Sequence, residues 1–170
     1  MIEGEKLRLR APAETDTPAI AAMRNDQALQ AAVLGTPHPN TEAMVRDWMA
    51  ARLKDPQSVF FIVAESASDL PIGYVVVADM HPVHGHGELG ICLASAHQGR
   101  GHGQEALALL EGYCRGVFGL RKLTLRVRRD NGPAVALYRK AGYREVGVLQ
   151  AHHYADGAFH DVLIMEKALA

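Results

Sequence analysis

Apolar residues recur along this chain at two periods, every second position and every third to fourth, and the switches between them mark the elements. "KLRLRA" (Lys6–Ala11) sets leucines between basic residues and predicts a half-exposed strand. Thr15 or Asp16 then caps a helix with Pro18 near its first turn, running towards Asn25. "GTPHPN" (Gly35–Asn40) reads as a loop, and Thr41 with Glu42 opens a second helix through Leu53. "SVFFIVAE" (Ser58–Glu65) and "PIGYVVVADM" (Pro71–Met80) are β-branched and aromatic, and with "SASDLP" between them they predict a hairpin. "HPVHGHG" reads as a loop and "ELGICLA" (Glu88–Ala94) as a strand.

The second half changes period three times. Leu107, Leu110, Cys114 and Val117 recur at helical spacing, Leu109, Tyr113 and Phe118 widen the stripe, and Gly119 ends it. "KLTLRV" (Lys122–Val127) is a strand, and "NGPAVALYRKAG" is a helix entered at Asn131 and closed at Gly142. "YREVGVLQAHHY" and "AFHDVLIMEKAL" are strands folded about an "ADG" turn. The order βααβββαβαββ predicts an α/β fold of the α+β kind, with a mixed sheet, in a single domain over residues 1–170.

Composition narrows the partners. With 48% hydrophobic residues the chain can bury a sizeable core, and its net charge of −1 gives no basic field for nucleic acid. Cys92 and Cys114 lack the C-x-x-C spacing, which suits a reduced cytoplasmic protein. The start lacks a basic-then-apolar signal pattern, and no apolar stretch approaches the roughly 18 residues of a membrane span. Neither a membrane nor a nucleic acid is expected as a partner.

The run "HQGRGHGQEAL" (His97–Leu107) carries Gly99, Gly101 and Gly103 between a strand and a helix. Unpaired amides and the positive end of a helix dipole favour an anion there, with Arg100 adding a cation and Gln98 a donor. A diphosphate suits such a loop; a merely tight connection would need one glycine rather than three. The dinucleotide fingerprint G-x-G-x-x-G fails at Gln104, and the Gly-Lys-Ser/Thr of the triphosphate loop is absent.

Gln98, Gly101 and Gly103 match the Q/R-x-x-G-x-G/A signature of the GNAT superfamily of acyl-CoA-dependent N-acetyltransferases, which this chain resembles. "NGPAVALYRKAGYREVG" looks like the second block of that family. "LRLRAPAETD" and "YADGAFHDVLIMEKAL" are similar to the ends of spermidine N-acetyltransferases and of acetyltransferases acting on ribosomal-protein N-termini. The resemblance covers nearly the whole chain. It implies a twisted, mostly antiparallel sheet splayed at the cofactor site, with helices on both faces.

The resemblance also implies roles. The amides of Gly99, Arg100, Gly101, His102 and Gly103 would hold the pyrophosphate of coenzyme A, with the Gln98 and Arg100 side chains alongside. The His102 ring is expected to point outward. Ile91, Cys92 and Leu93 would bond the pantetheine arm through main-chain groups, and Asn131 would meet the coenzyme too. Tyr138 matches the tyrosine that protonates the departing thiolate. Glu88 stands where several members carry a glutamate that removes the amine proton; water is the alternative base. An amide near Ile91 would meet the oxyanion. The acceptor is a primary amine: a polyamine, an amino acid or amine-bearing toxin, or a protein N-terminus. A polyamine pocket would be acidic, with Glu42, Asp47, Asp156 and Asp161 available to line it. The resemblance further makes a homodimer plausible.

Two other readings compete. A non-catalytic acyl-CoA-binding sensor or scaffold would use the same loop without needing Tyr138. The spacing of His81, His84 and His86, with His152, His153 and His160 near the last turn, is chemically open to metal binding. Neither group brings a cysteine or a carboxylate pair, so no metal is expected, and cleft-lining or solvent-facing imidazoles are the favoured reading. Cys92 in "LGICLA" reads as a buried strand residue rather than an acyl carrier.

Overall fold

The alternation in "LRLR" places Leu7 and Leu9 in the core while Arg8 and Arg10 remain partly exposed. This strand enters an eight-stranded sheet. The computed structural model describes residues 1–170. Its elements are β1 (Ile2–Glu3), β2 (Leu7–Arg10), α1 (Thr17–Asn25), α2 (Gln27–Ala32), α3 (Glu42–Lys54), β3 (Val59–Glu65), β4 (Pro71–His81) and β5 (His86–Leu93). The chain continues through α4 (His102–Phe118), β6 (Lys122–Arg128), α5 (Gly132–Lys140), β7 (Arg144–Ala155) and β8 (Ala158–Ala168).

The sheet order is β1-β2-β3-β4-β5-β6-β8-β7. Only β5 and β6 run parallel, and α4 makes the crossover that a parallel pair requires. The sheet is therefore mixed and mostly antiparallel, as the element order and the resemblance together implied. Strand alternation sends Val75 and Val77 to one face and Tyr74 to the other. On the first face α4 and α5 pack Leu107, Leu110, Cys114 and Tyr138 against the sheet. On the second, α1 and α3 bring Ile20, Met23, Val45 and Met49 onto Phe60, Ile62 and Tyr74. Helices thus cover both faces.

Several expectations are corrected. The helix α2 falls between Asn25 and Gly35, where the sequence reading assigns no element; its six residues show no apolar stripe, and it starts because the Asp26 carboxylate accepts from Leu29 N–H at 2.9 Å. Asp16 precedes α1 without capping it through its side chain. It instead accepts both Arg10 guanidinium bonds at 2.8 Å and the Ala13 N–H at 2.7 Å. The loop "HPVHGHG" shrinks to a turn, since β4 extends to His81 and pairs it with His86. Val117 is 59% exposed, because the final turn of α4 overhangs the sheet. Phe118 packs there on Tyr113, which rests edge-on against Phe61.

Candidate active site

The parallel pairing of β5 with β6 covers only His86 to Glu88. Beyond Glu88 the strands part, β5 remaining with β4 and β6 continuing with β8. The phase of β5 follows from two bonds: Lys122 N–H donates to Gly85 O at 3.1 Å, and Gln98 Nε2 donates to Leu93 O at 2.9 Å. Alternate residues of a strand point their main-chain groups the same way. Leu89 and Ile91 therefore turn N–H and C=O into the gap that β6 vacates. Cys92 pairs across to Tyr74 instead.

Past β5 the glycine run bends twice. Gly99 and Gly101 have φ of 74° and 85°, left-handed values that a side chain resists, although no atom lies within 4 Å of where a Cβ would stand. Gly103 answers to a different constraint: a Cβ there would lie 2.9 Å from Leu137 Cδ2, so it allows α4 to start close against α5. The outcome is a run of six amides, residues 99–104, that donate to no protein acceptor, at the N-terminus of a 17-residue helix.

The side chains around this cradle divide sharply. Gln98 ties the loop to the end of β5. Arg100 is exposed and lies off the cleft. The His102 ring is buried, against expectation, with Nδ1 3.1 Å from His97 O, so only its amide faces the cradle. Asn131 caps α5 by accepting from Ala134 N–H at 3.3 Å and also lines the cleft.

A cleft of about 940 Å³ runs from Gly99, Gly101 and Gly103 past Glu88, Ile91 and Tyr138 to the helices on the other face. Glu88 stands at the apex of the splay on the same face as Cys92, with Oε1 3.8 Å from Arg126 Nε. Tyr138 reaches the junction from α5 and is 7% exposed. Burial, and secondarily the neighbouring Cys92, pushes its pKa up to about 12. The same burial pushes the Cys92 thiol up to about 11.

The acetyltransferase (GNAT) domain model matches residues 6–144 of the chain. The chain belongs to the GNAT acetyltransferase family. It is 26% identical over 157 residues to a spermidine N(1)-acetyltransferase of Vibrio cholerae, covering 92% of this chain and 90% of the relative. It is 25% identical over 158 residues to an L-amino acid N-acetyltransferase of Escherichia coli, covering 91% and 94%. The crystal structure of the Vibrio cholerae spermidine N-acetyltransferase in complex with CoA and spermine superposes with a TM-score of 0.90, at 25% identity and 98% and 97% coverage. The fold is the GNAT fold, and acetyl-CoA is the donor of this acetyltransferase.

The residues present fit that donor. Orphan amides at a helix N-terminus suit a pyrophosphate. The free edge of β5 at Leu89 and Ile91 suits an arm carrying its own amides, as an added strand would. Of the three pantetheine contacts expected, Ile91 faces the gap, Leu93 has its C=O engaged by Gln98, and Cys92 is turned to β4. Leu89 escaped the sequence reading.

The far end of this GNAT cleft was also unread. It is lined by Arg24, Trp48, Arg52 and Tyr74, from α1, α3 and β4. Glu42, Asp47, Asp156 and Asp161 are absent from the lining; Asp156 and Asp161 pair with Arg128 and Arg129 elsewhere. His152 and His153 line the cleft, and burial followed by Arg128 keeps the His153 pKa below its usual value. His81 and His84 stack at 4.2 Å beside His86 at the hairpin end. No three His, Cys, Asp or Glu side chains group as a metal site would require.

Proposed function

We propose that this enzyme moves an acetyl group directly from acetyl-CoA to a primary amine, with Tyr138 as general acid and Glu88 as base. The observation that carries the reading is the meeting of three features at the splay: the open edge of β5, the Glu88 carboxylate and the buried Tyr138 hydroxyl.

Each group has a step that its setting suits. A lysine-like amine has a pKa near 10 and must lose a proton before it can attack. Glu88 accepts it, or passes it through water, from the face where the helices α1 to α3 meet the sheet. As the amine nitrogen bonds to the thioester carbon, charge grows on the carbonyl oxygen, and an amide turned into the gap, that of Ile91, answers it. The carbon–sulfur bond breaks, and the sulfur takes the proton of Tyr138. The raised pKa of about 12 keeps that proton in place until then. Burial likewise raises the thiol of Cys92 in the same cleft to about 11. That value also leaves Cys92 almost wholly protonated at neutral pH and speaks against an acyl-cysteine route.

In this reading residues 1–170 act as one acetyltransferase unit working in the cytoplasm. The exposed β7 edge, with Tyr154 62% and Phe159 68% exposed at its turn, is the surface we assign to pairing with a second copy. Light scattering of the purified chain would read a dimer mass; a monomer at all concentrations would remove this part.

The test of the main reading is release of free thiol from acetyl-CoA across an amine and peptide panel, with products read as a 42-Da class mass gain, about one acetyl group. Stoichiometric coenzyme binding with no thiol released by any amine would instead favour a sensor module.

A further inference from the structure

Charge at the far end of the cleft is used by nothing in the mechanism. Arg24 on α1 and Arg52 on α3 both stack on the Trp48 ring, with their guanidinium carbons 4.3 and 4.5 Å from its centroid. Trp48 is held in turn by edge contacts to Phe60 and Tyr74, 5.4 and 5.3 Å between centroids. Both cations are thus held against one rigid aromatic ring, close enough for Arg24 to act on the Arg52 charge. Arg24 bonds only the neutral Asn40, at 3.3 Å, and Arg52 Nε is buried without any partner. Burial, the largest influence, lowers the Arg52 pKa; Tyr74 supports the charge, Arg24 opposes it, and Asp55 supports it least, and the balance stays below the usual value. Two partly buried like charges with no carboxylate in ion-pair contact are costly unless an anion joins them.

The rest of the cleft has the same sign. Arg126 and Lys140 also line it, and the single carboxylate in the lining, Glu88, already sits 3.8 Å from Arg126. A polyamine entering here would meet four cations and one carboxylate, and like charges brought together across an interface cost several kcal/mol, of order 10²-fold or more in affinity.

We propose that the acceptor amine carries a carboxylate on the same molecule, and that Arg24 and Arg52 receive this carboxylate while the amine points towards Glu88 and Tyr138. Planar guanidinium groups match a carboxylate in a way that a solvated lysine would not. The proposal rests on the acetyltransferase reading of the same cleft and specifies its acceptor.

The test uses the whole chain with acetyl-CoA and matched acceptors: alanine against alaninamide, methionine against methioninamide, and spermidine. Carboxamides have less basic amines, so amine chemistry alone favours them over the free acids. We expect the opposite order, with kcat/KM for each free acid about ten-fold or more above its carboxamide and spermidine below both. Arg52→Met and Arg24→Met should each bring the acid-to-carboxamide ratio down to about one or below, and Arg52→Lys should recover part of it. Thermal melting and coenzyme binding of each variant check that the fold is kept. A carboxamide or spermidine preference in the parent enzyme would overturn the proposal. So would an unchanged ratio in folded Arg24→Met and Arg52→Met, since the arginines would then only pack on Trp48. Thiol release with spermidine alone defeats this inference and leaves the acetyltransferase reading standing; no release with any amine defeats the reading itself.

Discussion

At the donor end of the cleft the contacts come from main chain: the amides of residues 99–104 and the turned-out groups of Leu89 and Ile91. At the acceptor end they come from side chains, Arg24, Trp48, Arg52 and Tyr74, carried by three elements well separated along the chain. Glu88 and Tyr138 lie where the two ends meet. Main chain is the same whatever the residue, so a donor site built from it tolerates ordinary apolar side chains and constrains only backbone shape. A side-chain site can be rebuilt by substitution without disturbing that shape. The division separates a fixed donor from a tunable acceptor.

The strongest way to break this division is at the junction. Tyr138→Phe should lower kcat by about 10²–10⁴-fold, the usual span of a lost general acid, while coenzyme affinity stays near that of the parent. Stopped-flow thiol release with calorimetric coenzyme binding reads both. A fall in kcat below about three-fold would remove Tyr138 as the acid and leave the junction to water.

The two ends also differ in how far sequence disclosed them. Gly99 and Gly101 were visible because left-handed backbone restricts the residue type locally. Asn131 and Gly142 were readable for similar reasons, as helix cap and left-handed stop. Arg24 and Arg52 carry no such mark, since an arginine on a helix is ordinarily a solvated one. Their meeting on Trp48 depends on how α1 crosses α3 over β4, a tertiary fact without local signature. The inward turn of His102 was hidden for a different reason: its partner is the main-chain carbonyl of His97 in the preceding turn, and a carbonyl leaves no mark of residue type.

The second largest effect is a loss of stability where α1, which carries Arg24, begins. Asp16 anchors the start of α1 through Arg10, with side chains 2% and 14% exposed. Burial by itself would raise its pKa, but the Arg10 bonds and the Ala13 amide outweigh it, so the carboxyl is held below its usual range. Its stabilisation is therefore complete above the unfolded pKa, near 3.9, and is lost as pH falls through the lower folded value. Asp16→Asn should cost about 3 kcal/mol at pH 7, with the gap to the parent closing below about pH 4. Urea unfolding at several pH values measures this. A gap that persists unchanged at pH 3 would mean that packing, and not the ion pair, holds α1.

At the donor end, Gly101→Val places a β-branched residue at a φ of 85° and should cost about 1–2 kcal/mol. Because the strain distorts the cradle, KM for acetyl-CoA should rise by about ten-fold with the acceptor KM little changed. Equal increases in both would show that the two ends are not independent.

The smallest effect is expected at Glu88, where the two ends touch and solvent also reaches. Its side chain is 40% exposed and only loosely paired with Arg126 at 3.8 Å, so water can substitute for much of what it does. Glu88→Gln should lower kcat/KM by about three- to ten-fold at pH 7, less than the loss of a sole base. The pH profile separates the possible causes. A base matters only while the acceptor arrives protonated, so the deficit should shrink as pH approaches the amine pKa and vanish above it. A deficit that stays constant across that range would instead assign Glu88 to holding Arg126, on the acceptor side of the comparison and outside the chemistry.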